Sequence, residues 1–288
     1  MTAETYFVPT DAEGVQRTGD LALRWPLPER RADGSFAPGE VVTPDVGRPV
    51  VLRDLGGLLE DLGERIFTAE AIAETGGRLL AETAWDLRAA ARFALDCAER
   101  VVSDPGALKL ASGPSLADVF AAARRYLDED AAGSDGLLAK MSRLAQAHRL
   151  RRMGHELADV VMSLTLEDER EDLEALEDPE WDAAAAAREA VLSATEAIRH
   201  SAVPHLGELR DRSYESERSR ADRPGEILST PWGNFGMGNR AGFVPAWVAA
   251  KEAAERAREA IADAGGADAG AAERLWQLDR LRSALGLA

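Results

Sequence analysis

Apolar residues recur every three or four positions over most of the chain beyond residue 48, and this spacing predicts a succession of amphipathic helices. Leu52, Leu55, Leu59, Leu62 and Ile66 form the first stripe, although Gly56, Gly57 and Gly63 weaken it. A longer helix is predicted from about Arg78 to Val102 on Leu80, Ala84, Leu87, Ala91, Ala94, Ala98 and Val101, a mostly alanine face that lets a partner helix approach closely. Asp104-Pro105-Gly106 ends it. Ser115 followed by Asp118 reads as a capping-box start for a helix with Leu116, Val119, Phe120, Ala123 and Leu127 on one face. Another helix is expected from Gly136 to Leu166, its stripe shifting near Arg151.

Asp178-Pro179-Glu180 supplies a cap, a first-turn proline and a first-turn acid in order, predicting a helix that carries Trp181, Ala184, Val191, Ala194 and Ile198 towards Pro204. Trp247, Ala250, Ala254, Ala257 and Ile261 mark a further helix that Gly265-Gly266 breaks. A final one holds Leu275, Leu278, Leu281 and Leu285.

Residues 1–48 break this pattern. Pro9, Pro26, Pro28, Pro38 and Pro44, with Pro49 at the boundary, interleave with Gly14, Gly19, Gly34, Gly39 and Gly47. Prolines remove donors and disfavour helix before them, so an extended arm is expected, with short strands at Thr5–Val8 and Leu21–Trp25. Tyr6, Phe7, Trp25 and Phe36 are too apolar for a solvated tail, so the arm wraps the helical body or a neighbouring subunit. The fold class expected is therefore all-α: a multi-helix bundle over 49–288 with an extended Pro/Gly-rich arm over 1–48. A charged connector and a Gly-rich loop insertion occupy 207–245.

That loop, around TPWGNFGMGNRAGFVPAW, concentrates glycine, proline and aromatics where helix formers drop out. Gly236-Met237-Gly238-Asn239-Arg240-Ala241 fits a loose dinucleotide fingerprint, yet no hydrophobic strand precedes it and Pro245 interrupts the helix that should follow. Asn239-Arg240 also stands where a phosphate loop needs Lys and Ser or Thr. The segment reads as a shaped turn or contact loop, and Trp232, Phe235, Arg240 and Phe243 are its contact candidates.

Composition narrows the function classes. The 288 residues carry a formal net charge of −17, which repels phosphate backbones and excludes nucleic acid as an expected partner. The basic run His148-Arg149-Leu150-Arg151-Arg152 sits in an amphipathic helix and reads as a solvated or paired face. Lys occurs only at 109, 140 and 251, an arginine preference that suggests a GC-rich bacterial genome. The start of the chain lacks the basic and apolar runs of an export signal, and no stretch of about 18 apolar residues occurs, so no membrane insertion and a cytoplasmic location are expected. Cys97, the single cysteine, lies on an apolar helix face and reads as a buried small hydrophobe.

Metal chemistry has one weak combination, His155, Glu156, Glu196, His200 and His205, in which spacing alone gathers no complete set of ligands. His148 and His155 stand two turns apart, roughly 10 Å, too far to share an ion unaided. The acidic segment Glu167–Asp182 lacks a calcium-loop pattern and reads as a solvated face or a docking surface. No nucleophile elbow occurs and no cofactor is expected. The function expected is a non-enzymatic interaction or structural subunit of a bacterial cytoplasmic assembly, binding a protein partner or itself. The alternatives are a helical-bundle enzyme or small-molecule or metal binder using the 232–243 loop, and a regulatory or defence accessory protein with an acidic docking surface.

Overall fold

The computed structural model describes residues 5–18, 21–43, 50–72, 76–102, 106–109, 113–129, 145–147, 149–158, 160, 179–201 and 245–287. The elements run β1 (Tyr6–Thr10), β2 (Val15–Thr18), β3 (Leu21–Arg24), β4 (Glu29–Arg30), β5 (Phe36–Ala37), α1 (Leu55–Leu59), β6 (Arg65–Ile72), β7 (Gly76–Glu82), α2 (Leu87–Arg100) and α3 (Leu116–Asp128). They continue with α4 (149–158), α5 (Pro179–Ser201), α6 (Ala246–Gly265) and α7 (Ala267–Ala284).

The expectation of an all-α helical bundle is wrong. Among the described residues 56% are helical and 19% lie in strands, which form three small antiparallel sheets, so the fold is mixed α and β. The first predicted helical stripe fails because α1 is a single capped turn: the Asp54 side chain accepts from the Gly57 amide at 2.6 Å, and the helix ends after Leu59. Gly63 then passes so close to β1 that a Cβ there would stand 2.8 Å from both the backbone N and O of Thr10. Beyond it, Ile66, Phe67, Thr68 and Ile72 supply the β-branched and aromatic content of a strand.

β6 is central, with β1 and β7 antiparallel on either side. Its two faces serve two cores. Phe7 and Ile66 join the main helical core, whereas Val8, Phe67, Ala69 and Leu79 enclose Trp25 in a second cluster. At Ile66 and Phe67 both faces of β6 are buried, the apolar–polar alternation that identifies a strand is lost there, and Ile66 falls in step with the leucines that precede it as if on one helical stripe. A bulge between Thr68 and Ala69 shifts the register against β7.

The predicted helix from Arg78 likewise divides. Gly76–Glu82 forms β7, and α2 begins only where Asp86 caps it, its side chain accepting from the Ala89 amide at 2.7 Å. The arm is a strand-built module: β1 pairs with β6, and β2 pairs with β3. Gln16 holds that module together by accepting from Trp25 Nε1 at 3.2 Å and donating to the Val51 carbonyl at 2.8 Å. Phe7 and Trp25 are buried against the chain's own sheet and helices.

The helical layer follows its sequence signals. Ser115 and Asp118 form the capping box of α3, α5 starts at Pro179, and Gly266 at φ +83 separates α6 from α7. α5 packs most extensively on α6, and α2 lies against both, through Ala90, Ala91, Ala94, Ala190, Ala194, Ala250 and Ala254, all fully buried. Such small side chains let helix backbones close up. Gly154 of α4 serves the same end, since a Cβ there would collide with Thr195 Cγ2. Among the described residues no helix is long and apolar enough to cross a membrane.

Candidate interaction surface

α7 places its side chains by phase. Successive steps of three from Leu275 through Leu278 to Leu281 turn the helix by about 120°, because three residues fall short of a full turn of 3.6. Leu281 is therefore buried, and the C-cap residue Leu285 is buried as well, while Leu275, about 120° round the helix from Leu281, is 69% exposed. Ala271, Ala272, Asp268, Asp279 and Arg282 are exposed with it.

The inner side of α7 is fixed by polar contacts. Gln277 donates to the Ala254 carbonyl at 2.9 Å and to Glu273 at 3.2 Å. Glu273, fully buried, also accepts from Arg100 of α2 at 3.2 Å. Burial pushes the Glu273 carboxyl above its ordinary range, against the pull of Arg100. Asp96 of α2 accepts from Arg280 at 3.1 Å and from Arg124 of α3 at 2.7 Å, joining three helices through one carboxylate. Cys97, beside it, is buried and its thiol is pushed well up by desolvation, as a small core residue should be.

Trp276 lies on the flank of α7 between two guanidinium groups, Arg100 at 4.9 Å and Arg280 at 5.8 Å from the ring centre. Each stack contributes about 0.5–1 kcal/mol. Both arginines remain nearly half exposed, 49% and 43% by side chain, and both are anchored from beneath by buried carboxylates. The result is a preorganised tryptophan–arginine patch beside an exposed leucine. Its six ionised groups, Arg100, Arg124, Arg280, Asp96, Glu99 and Glu273, balance in charge when all are ionised, and they include a direct Arg124–Glu99 pair.

Two other carboxylates are each held by two arginines. Glu60, the C-cap of α1, is clamped by Arg258 of α6 and Arg274 of α7, each at 2.7 Å; the hydrogen bond from Arg258 is the largest influence lowering its carboxyl. It borders an open cleft of about 370 Å³ with Arg17, Thr18, Arg53, Gly57 and Asp61, in which Arg53 and Asp61 pair at 3.0 Å. Between α4 and α5, Glu196 meets Arg151, His155 at 3.3 Å and Arg199 at 3.2 Å.

Of the metal combination considered from the sequence, only His155 and Glu196 are seen together. Glu156 is exposed and faces Arg152 at 3.7 Å, while His205 and the side chain of His200 lie outside the described residues. Two guanidinium groups occupy the Glu196 carboxylate, which opposes a cation there. Among the described residues no group of three or more His, Cys, Asp and Glu side chains is gathered as for a metal ion. Trp232, Phe235, Arg240 and Phe243 also lie outside the described residues.

The α7 surface was not among the sequence candidates. The signal for it was present: Leu275 falls out of phase with Leu281 and Leu285, and Trp276 has Arg280 one turn on. Comparison with protein-family models, with curated proteins and with solved structures gives no match.

Proposed function

We propose that the chain is a non-enzymatic interaction subunit of a bacterial cytoplasmic assembly, and that the outer side of α7 with its Trp276–arginine flank is the surface through which it binds. The observation carrying this reading is the exposure of Leu275 on a helix whose opposite side is locked by Glu273, Gln277 and Arg280. Trp and Arg are the residues that dominate binding energy at protein interfaces, and anchoring them in advance reduces the entropy lost on association. Charge balance across the patch favours a protein surface over a polyanion as its partner.

A photo-reactive amino acid placed at position 275 in host cells tests the proposal. Irradiation should give a discrete adduct of defined mass, and the same group at the exposed position Glu255 on α6 should not. Equal and diffuse labelling at both positions would refute it.

A further inference from the structure

We propose that the occupant of the outer α7 face is a second copy of this chain, docked helix against helix and antiparallel about a two-fold axis at Leu275. The inference rests on the reading of α7 as an interface and adds the identity of the partner. Asp268, Ala271, Ala272, Leu275, Asp279 and Arg282 are all exposed and follow one another at helical spacing on one side of α7. Asp268 lies seven residues before Leu275 and Arg282 seven after it, each about 10 Å away along the helix axis.

A two-fold axis perpendicular to the helix exchanges its ends, so each position faces the one equally distant on the other side of Leu275. Asp268 then faces Arg282 of the second copy, and Arg282 faces Asp268 of the second copy. Leu275 meets its own counterpart, Ala271 meets Asp279, and Ala272 comes opposite the outer edge of Leu278, which is half-buried and packs inward on the main core. The charges agree twice over, the central contact is apolar, and the alanines allow close approach of the two backbones. Parallel docking would instead set Asp268 beside Asp268 and Arg282 beside Arg282. The face is thus self-complementary in one orientation. A single helix seam is at the small end of specific interfaces, so the expected association is weak and reversible.

Sedimentation velocity on the full chain, from about 1 µM to about 1 mM, gives the test. The wild type should dimerise reversibly and Leu275→Glu should remain monomeric. Asp268→Arg and Arg282→Asp should each weaken association by at least about tenfold, and the double exchange should recover it to within about threefold. All three sites are exposed, so circular dichroism should show the wild-type helix content in every variant. Asp268 and Arg282 stand in the first and last turns of α7, so each charge reversal should lower the melting temperature slightly, and the double exchange, which restores no stability of this kind, should still recover association. A monomer throughout that range, a dimer indifferent to Leu275→Glu, or a double exchange no better than its parents would each overturn the inference. A monomeric chain that cross-links from position 275 to a different protein overturns the second copy and leaves the interaction reading standing. A monomer without any adduct removes both.

Discussion

Replacing Glu196 by Gln should destabilise the fold by about 3 kcal/mol near neutral pH and by progressively less in acid. Burial alone would raise this carboxyl, but hydrogen bonds from His155 and Arg151 and the charges of Arg151 and Arg199 outweigh it and hold it at about 2, against an ordinary 4.5. A carboxylate depressed on folding contributes stability that is fully present above its unfolded pKa and is lost as pH falls through the folded value. The window is therefore pH 5 down to about 2. The side chain is only 17% exposed, so solvent screening removes little of the effect. By pH 3.5 the contribution should have fallen by about 1.4 kcal/mol, to roughly 2. Urea unfolding of wild type and Glu196→Gln at pH 7, 5 and 3.5 cancels the acids that titrate alike in both proteins, because only the difference between the two is read; the step from pH 5 to 3.5 carries the test. A difference below about 1 kcal/mol at pH 7, or one that stays constant down to pH 3.5, would refute the reasoning.

Asp96→Asn should cost about 2 kcal/mol, less than a wholly buried pair because Arg124 and Arg280 can turn to solvent; combined with Arg280→Gln, the loss should fall short of the sum by at least about 0.5 kcal/mol in a urea-unfolding cycle. Gly63→Ala should lower stability by at least about 2 kcal/mol in thermal unfolding, since its Cβ would meet backbone atoms of Thr10 that no rotamer change can move.

The helical layer was legible in the sequence because its boundaries carry local chemistry. Ser115 with Asp118, Pro179 with Glu180, and Gly265-Gly266 each mark a helix end through a cap, a fixed φ or conformational freedom, and none depends on distant residues. The sheet was not legible where it matters most. β1 and β3 stood out among prolines, but in β6 Ile66 joins the helical core while Phe67 and Ala69 join the Trp25 cluster, so neighbouring apolar residues point to two different cores. The β-branched and aromatic residues at 66–68 were the one local signal, and Ile66 standing in step with the leucines before it masked them. The outer face of α7 was missed for a related reason: a leucine repeat counted only by threes and fours conceals the turn that accumulates from Leu275 to Leu281.

The arginine preference, read from the sequence as a matter of genome composition, also has a structural use. Glu60, Asp96 and Glu196 each draw two arginines, and Glu273 draws one, in most cases from another element. A planar guanidinium can bridge elements with more than one hydrogen bond, which a lysine cannot do. For α7 these contacts determine its rotation about its own axis. Rolling the helix to bury Leu275 would withdraw Glu273 from Arg100, Arg280 from Asp96 and Gln277 from the Ala254 carbonyl, stranding buried polar groups at a cost of about 1–3 kcal/mol each. Burying one leucine would return only about 2 kcal/mol. The exposed leucine is therefore held outward by the polar contacts beneath it, and α7 presents the same face whether or not a partner is bound.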